Sequence, residues 1–201
     1  MKLKILIPVL SAAVVCGCVP KSEPTPQKSH PSFLELASAR FSVRYYDSKP
    51  VEQEKIDAIL AAARVAPTAK NQQPYHIFVL KSAAAIKKVN ELTRCAYSAP
   101  VVFLVCYDQA KAWQNPFDAN DNSGVMDSTI VGVHMMLEAF DLGLGSCWVK
   151  YFDPKAITAA FELPENLTPS FMLDVGYPAP GVAPSPMHSA KREAEELVTY
   201  R

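Results

Sequence analysis

A chain of 201 residues has room for one domain with a tail, and at 49% apolar and 20% charged it can bury a real core, which excludes disorder throughout. Twenty basic and twenty acidic side chains cancel, so no global charge recruits nucleic acid. Glycine is scarce at 7, with none between Gly17 and Gly124, which excludes the Gly-rich phosphate loops; any phosphate must be held by side chains.

The chain opens with Lys2 and Lys4, followed by an apolar run from Ile5 to Val15. About eleven residues is too short to span a bilayer but suits the apolar part of a signal peptide. Val15-Cys16-Gly17-Cys18 resembles a bacterial lipobox, with Cys18 as the residue to be lipidated. The segment after it, VPKSEPTPQKSHPS, is rich in proline and polar residues and cannot bury enough surface to order itself. The sequence therefore predicts a signal peptide over 1–17, a Pro-rich tether over 18–31 and a folded domain over 32–201. The expected location is the bacterial cell envelope, membrane-anchored and facing the periplasm or the outside. A plain secretory signal or an uncleaved anchor are the competing readings, and without export the protein is cytoplasmic.

Within the domain, Ser32 and Glu35 form a capping box that opens a helix through Ala39. Pro50 starts a second helix, Val51 to Val65, with Ile56, Ile59, Leu60 and Ala63 on one face; Pro67 stops it. A strand follows over Tyr75–Leu80, then an amphipathic helix from Ser82 to Leu92. Pro100 to Tyr107 reads as a strand buried on both faces. Trp113–Ser123 is a polar loop. Val125–Leu142 is apolar almost all round, which predicts a helix buried on every side, part of it against a second subunit. Gly143 and Gly145 end it. A short strand Ser146–Val149, a helix capped by Asp153 through Phe161 and a strand Ser170–Val175 complete an α+β sandwich around one sheet. His134 and Met135 read as core packing, and Cys106 as a small buried hydrophobe. Cys95, Cys106 and Cys147 form no C-x-x-C, and the four histidines lack zinc spacing, so no metal site is expected.

Four segments carry chemistry. In Arg40-Phe41-Ser42-Val43-Arg44, extended backbone places Arg40, Ser42 and Arg44 on one face, where two guanidinium forks and a hydroxyl suit a phosphate. Taken alone, this is a solvated surface run. In Ala66–Tyr75 two prolines bracket a polar loop; Asn71 and Gln73 can pair with a heterocycle's alternating N–H and C=O groups, although such loops commonly just connect a helix to a strand. Gly143-Leu144-Gly145-Ser146-Cys147-Trp148-Val149-Lys150 lets backbone approach a ligand, or else caps a helix. Lys191-Arg192 is a basic pair near the C-terminus.

In this order and spacing the four segments resemble the nitroreductase family of FMN-dependent oxidoreductases, over about residues 33–198. The pairing of R-x-S-x-R with the A-P-[ST]-x-x-N-x-Q-P-[WY] loop carries the resemblance, and G-L-G-S-C-W strengthens it; Thr68 and Tyr75 stand where Ser and Trp are common. The resemblance implies a homodimer with a mixed, mainly antiparallel sheet and two FMN sites at the subunit interface. It implies that Arg40 and Ser42, flanked by Phe41, hold the FMN phosphate with Lys191 or Arg192. Arg44 would reach the flavin's N1/O2 end, where positive charge favours two-electron chemistry. Asn71 and Gln73 would contact flavin and ribityl, Pro67 and Thr68 would come from the partner subunit, and backbone from Trp148 through Val149 to Lys150 would cover the N5/O4 edge. No side chain acts as a catalytic nucleophile. The implied reaction is ping-pong, from NAD(P)H to a nitroaromatic, quinone-like or other electrophilic acceptor. A membrane-tethered electron relay without NAD(P)H turnover is the alternative, because NAD(P)H is expected to be scarce outside the inner membrane. A binding module that lost FMN is a third reading, opposed by the intact Arg40, Ser42, Arg44, Asn71 and Gln73.

Overall fold

The structure, a computed structural model, describes residues 32–201. The expected signal peptide, Cys18 and the tether lie outside the described residues. The domain is built on four antiparallel strands in the order β1-β2-β4-β3: β1 Tyr75–Leu80, β2 Val101–Asp108, β3 Gly145–Val149 and β4 Leu167–Gly176. One parallel bridge, Ser42 to Ser146, adds the only parallel pairing among the described residues.

Side chains alternate across a strand, and the two central strands are apolar on both faces. On one face Phe103 and Val105 of β2 and Phe171 and Leu173 of β4 pack under α2 (Gln53–Val65) and α4 (Gly124–Asp141). On the other, Leu104, Cys106 and Met172 pack against Val89 of α3 (Ala83–Leu92) and Ile157 of α5 (Pro154–Ala160). The result is three layers with helices on both sides of the sheet. Cys106 is fully buried, as its sequence context predicts, and burial pushes its thiol up to about 12.

The local signals hold where the chain is self-sufficient. Helix α1 spans Phe33–Ala39 and begins on a complete capping box: Ser32 Oγ accepts from Glu35 N, and Ser32 N donates to Glu35 Oε2 at 2.6 Å. Ser82 and Asp153 cap α3 and α5 with their side chains. Two expectations are corrected. Helix α2 starts at Gln53, not Val51, because Glu52 is extended and its carboxyl is held by the Tyr177 hydroxyl at 2.7 Å. Strand β4 starts at Leu167, not Ser170, and contains Pro169; the proline sits opposite Cys106, where a register shift relieves the ladder of the missing N–H. Within one chain helix α4 buries one face. Its buried face is Asp127, Ser128, Val131, Gly132, Met135 and Ala139, while Val125, Met126 and Val133 are 56%, 64% and 38% exposed. His134 is half-buried, with Nδ1 against Ile130 O at 2.8 Å, and Met135 is core. A 3-10 turn at Pro186–His188 and a short helix α6, Ala194–Leu197, were not foreseen.

Helix α4 lies so close to the sheet that a methyl group on Gly132 would fall 2.3 Å from Phe171 and 2.5 Å from Trp148, two rings stacked at 3.6 Å. Neither ring can retreat without losing its partner. Gly132→Ala is expected to destabilise the fold by about 1–3 kcal/mol, read as a lower urea midpoint at unchanged slope.

Candidate functional site

The first and third sequence segments meet directly. Residues 41–44 run parallel to β3, and Val43 N donates to Ser146 O at 2.9 Å. Gly145 makes that approach possible: a Cβ there would lie 2.5 Å from Val43. Gly145 therefore serves the packing of the two segments. Gly143, at φ +76°, ends α4 in the left-handed region that favours glycine. Val43 is buried, so Ser42 and Arg44 turn the other way.

Arg40 is half-buried and Arg44 exposed, and among the described residues neither has an acidic partner. Arg44 Nη1 reaches only Ser42 O, at 3.5 Å, and the Ser42 hydroxyl has no hydrogen bond within the described chain. Two unpaired guanidinium groups flanking a free hydroxyl fit a phosphorylated ligand.

The fourth segment comes to the same edge. The His188 ring packs edge-on to Phe41 at 6.4 Å, and its Nε2 lies 3.1 Å from Ser38 O, so the stretch carrying Lys191 and Arg192 rests against the end of α1. Lys191 Nζ donates to His188 O at 2.8 Å, while Arg192 is engaged by Glu196 at 2.9 Å. Both are exposed.

Trp148 turns into the core, and Lys150 donates to Ser170 O, with burial lowering the amine's pKa. What this segment offers a ligand is therefore backbone. A turn that sequence reasoning did not single out packs beside it: Thr93 Oγ1 donates to Tyr151 O, and the Arg94 guanidinium lies 4.8 Å above the Tyr151 ring. Tyr97, on the same turn, lies beside Arg44 and has φ +50°. No local pattern distinguishes Arg94 or Tyr97; the turn is placed by tertiary contacts alone.

The second segment is elsewhere. Pro67, Thr68, Asn71 and Gln73 lie on the loop that feeds β1, at the sheet edge opposite β3. Three strand spacings separate the edges, about 14 Å. One chain therefore does not bring Asn71 and Gln73 to Arg40, Ser42 and Arg44. The loop is shaped by its own bonds: Gln73 N donates to Thr68 Oγ1 at 3.0 Å, and Gln73 Nε2 to Asn71 Oδ1 at 3.1 Å. Its one anchor in α4 is Asp127, whose Oδ1 accepts from Ala69 N at 2.9 Å.

Behind residues 42–44, on the sheet face they cover, lies a polar pocket of side chains. Cys147 is paired across the ladder with Asp174, and Tyr46 donates to Val43 O at 2.9 Å. Burial pushes the Cys147 thiol up to about 11, against the pull of Arg44, and raises the Tyr46 phenol far above its usual range. Asp174 is fully buried, and neither carboxyl oxygen has a partner; Ser146 Oγ is likewise orphaned. Burial pushes Asp174 up to about 8. Cys95, Cys106 and Cys147 are free thiols, and among the described residues no group of three or more His, Cys, Asp or Glu side chains could hold a metal.

The profile of the nitroreductase family matches residues 37–98 and 94–177, spanning all of the Arg40–Arg44, Pro67–Gln73 and Gly143–Lys150 segments. The chain belongs to the nitroreductase family. A nitroreductase family protein from Clostridium difficile 630 superposes with a TM-score of 0.79 at 39% identity, covering 85% of this chain and 98% of that one. A provisionally named NADH dehydrogenase/NAD(P)H nitroreductase of Methanothermobacter thermautotrophicus is 30% identical over 153 residues, 73% of this chain and 77% of its own. A nitroreductase-fold protein from Exiguobacterium sibiricum 255-15, crystallised with FMN, shares the fold at a TM-score of 0.74 and 20% identity, over 86% and 98% of the two chains. Lys191 and Arg192 fall outside the matched range, so in this chain they rest on their own geometry.

Asp174 gives a test of this polar pocket. Its carboxyl stays neutral in the fold up to about pH 8, whereas in the unfolded chain it ionises near 3.8. Between those values the unfolded chain binds fewer protons, so stability falls as pH rises from about 4 to about 8 and levels off above. Asp174→Asn is expected to flatten that part of the profile and to be more stable than the native chain at pH 8. Urea unfolding at pH 5 and pH 8 checks this; an unchanged difference between the two would refute it.

Proposed function

We propose that this nitroreductase is an FMN-dependent oxidoreductase working as a homodimer, taking electrons from NAD(P)H and passing them in pairs to a nitroaromatic, quinone-like or other electrophilic small molecule. The observation that carries the reading is the extended Arg40–Arg44 segment beside β3, where among the described residues two guanidinium groups have no acidic partner and the Ser42 hydroxyl has no hydrogen bond. FMN, when bound, supplies the hydride chemistry. The chain's residues bind and orient it. Arg40 and Ser42 would hold the phosphate, with Lys191 or Arg192. Arg44 would serve the N1/O2 end of the ring, where its charge would favour the electron-rich form. Backbone from Trp148 to Lys150 would serve the N5/O4 edge. No side chain is asked to act as a nucleophile.

Homodimerisation is supported by the location of Pro67, Thr68, Asn71 and Gln73 at the opposite sheet edge, from which they serve a second copy's Arg40–Arg44. The exposed Val125, Met126 and Val133 of α4 offer an apolar surface for that contact. Residues 1–17 are read as a signal peptide, with a lipid anchor at Cys18 and a tether holding the domain at the cell envelope. At that location a membrane quinol or redox protein could replace NAD(P)H, which is the electron-relay alternative.

Two measurements test this reading. Purified protein should be yellow, and stopped-flow mixing with NADH and NADPH should bleach it; bleaching by neither favours the relay, and colourless protein that takes up no FMN refutes both readings. Arg40→Ala removes a charge-assisted contact worth about 1.5–3 kcal/mol, so FMN affinity should fall roughly ten- to hundredfold while the midpoint potential of bound flavin barely moves. Arg44→Ala should instead lower that potential, because it weakens the reduced flavin more than the oxidised. A reversed pattern overturns the two assignments. Separately, mass spectrometry of protein from its native membrane should find a lipidated Cys18 at the N-terminus; a mature chain retaining Met1 ends the anchor proposal.

A further inference from the structure

Asp127 is the one acidic side chain on the buried face of α4, 2% exposed, between the apolar and small residues that meet the sheet. Burying a carboxyl is costly unless its oxygens are occupied. Here both are: Oδ1 accepts from Ala69 N at 2.9 Å and Oδ2 from Ser123 Oγ at 2.6 Å. Ser123 Oγ also accepts from Trp113 N at 3.0 Å, which ties the end of the 113–123 loop into the same group.

The loop held by this carboxyl has an unfavourable shape. Lys70, Asn71 and Gln73 have φ of 51°, 55° and 49°, the left-handed region that side-chain-bearing residues resist. Three backbone amides close the loop on itself, Asn71 N to Thr68 O at 2.9 Å, Gln72 N to Ala69 O at 3.1 Å and Gln73 N to Thr68 Oγ1 at 3.0 Å, and Gln73 Nε2 donates to Asn71 Oδ1 and O at 3.1 and 3.3 Å. Among the described residues, the bond from Ala69 to Asp127 is the only hydrogen bond tying residues 68–73 to another part of the chain. The loop's conformation and its position therefore have separate origins, and the second is a single buried side chain.

We infer that Asp127 is a positioning residue for flavin binding: from the buried face of α4 its carboxyl latches residues 68–73 in the position from which Asn71 and Gln73 present their amides to FMN. The inference rests on the FMN reading above. Because the loop leads into β1 and not toward β3, the latch in one copy serves the site completed by the other. Asp127 itself touches no ligand.

The test compares Asp127→Ala, Asp127→Asn and Ser123→Ala in the purified full chain, by hydrogen exchange of the flavin-free protein and by FMN titration. Asp127→Ala should speed amide exchange over residues 69–73 at least about tenfold while β2 exchanges as before, and should weaken FMN about ten- to hundredfold. Asp127→Asn should recover most of both, since its amide oxygen still accepts from Ala69 and its amide nitrogen can donate to Ser123 Oγ. Ser123→Ala frees one carboxyl oxygen and should weaken FMN only several-fold; it carries the test if Asp127→Ala does not fold. A latch without function would loosen the loop and leave FMN affinity unchanged, which overturns the inference. So does a loss of affinity matched by faster exchange everywhere, or by no recovery in Asp127→Asn. If the native chain binds no FMN, the functional reading fails instead, while the exchange arm still reports whether Asp127 holds the loop.

Discussion

Val43 donates its backbone N–H to Ser146, and the placement of residues 40–44 along the β3 edge hangs from that contact. A single backbone hydrogen bond contributes only about 1 kcal/mol net, whereas full burial of a valine contributes about 1.5–3 kcal/mol, so the Val43 side chain is the stronger part of the fastening. It can be buried there because Gly145 offers no Cβ to oppose it. With Val43 seated, alternation along extended backbone turns Ser42 and Arg44 away from the core. Two cationic side chains and a hydroxyl are thus displayed by a residue that has no chemistry of its own.

The sheet then sets the distance between what the chain can offer. Its central strands are buried on both faces and leave little freedom for the edges to move, so β1 and β3 remain apart by three strand spacings. A loop rich in amides at one edge and a basic extended segment at the other cannot converge within such a frame. In the homodimer proposed above a second copy would bring them together, with the exposed Val125, Met126 and Val133 of α4 available to the contact.

The two buried aspartates illustrate how polar groups are used in the interior. Asp127 has both oxygens occupied, by a backbone amide and a hydroxyl, and so turns the cost of burial into a fixed position for a distant loop. Asp174 has neither oxygen occupied, and burial keeps it the neutral acid up to about pH 8. Asp174 stands in an otherwise apolar run, FMLDVG, where an acid is itself a signal, whereas Asp127 stands in VMDST beside two hydroxyl residues. Neither belongs to a cluster of chemistry-bearing residues, so neither stands out among the motifs.

Much of the fold was legible because its signals are local. The capping box at Ser32, the strand at Tyr75–Leu80, the doubly buried strand near Val101 and the cap at Asp153 depend on neighbours a few residues away, and the structure reproduces them. The errors arose where a distant partner decides: Tyr177 holds Glu52 and delays α2, and a register shift against Cys106 lets Pro169 stay within β4. The motifs were legible in the same way. Residue type and spacing determine that Arg40, Ser42 and Arg44 share one face and that Asn71 and Gln73 share one loop, because those relations are set by backbone geometry over a few residues. Only the tertiary structure decided that the first group lies against β3 and the second on the far edge, that Tyr97 stands near Arg44 and Arg94 over Tyr151, and that Asp127 holds the loop. Those relations depend on which strands pair and which helix crosses them, and pairing over a hundred residues of chain is settled by burial of the whole core, not by any segment's own preference.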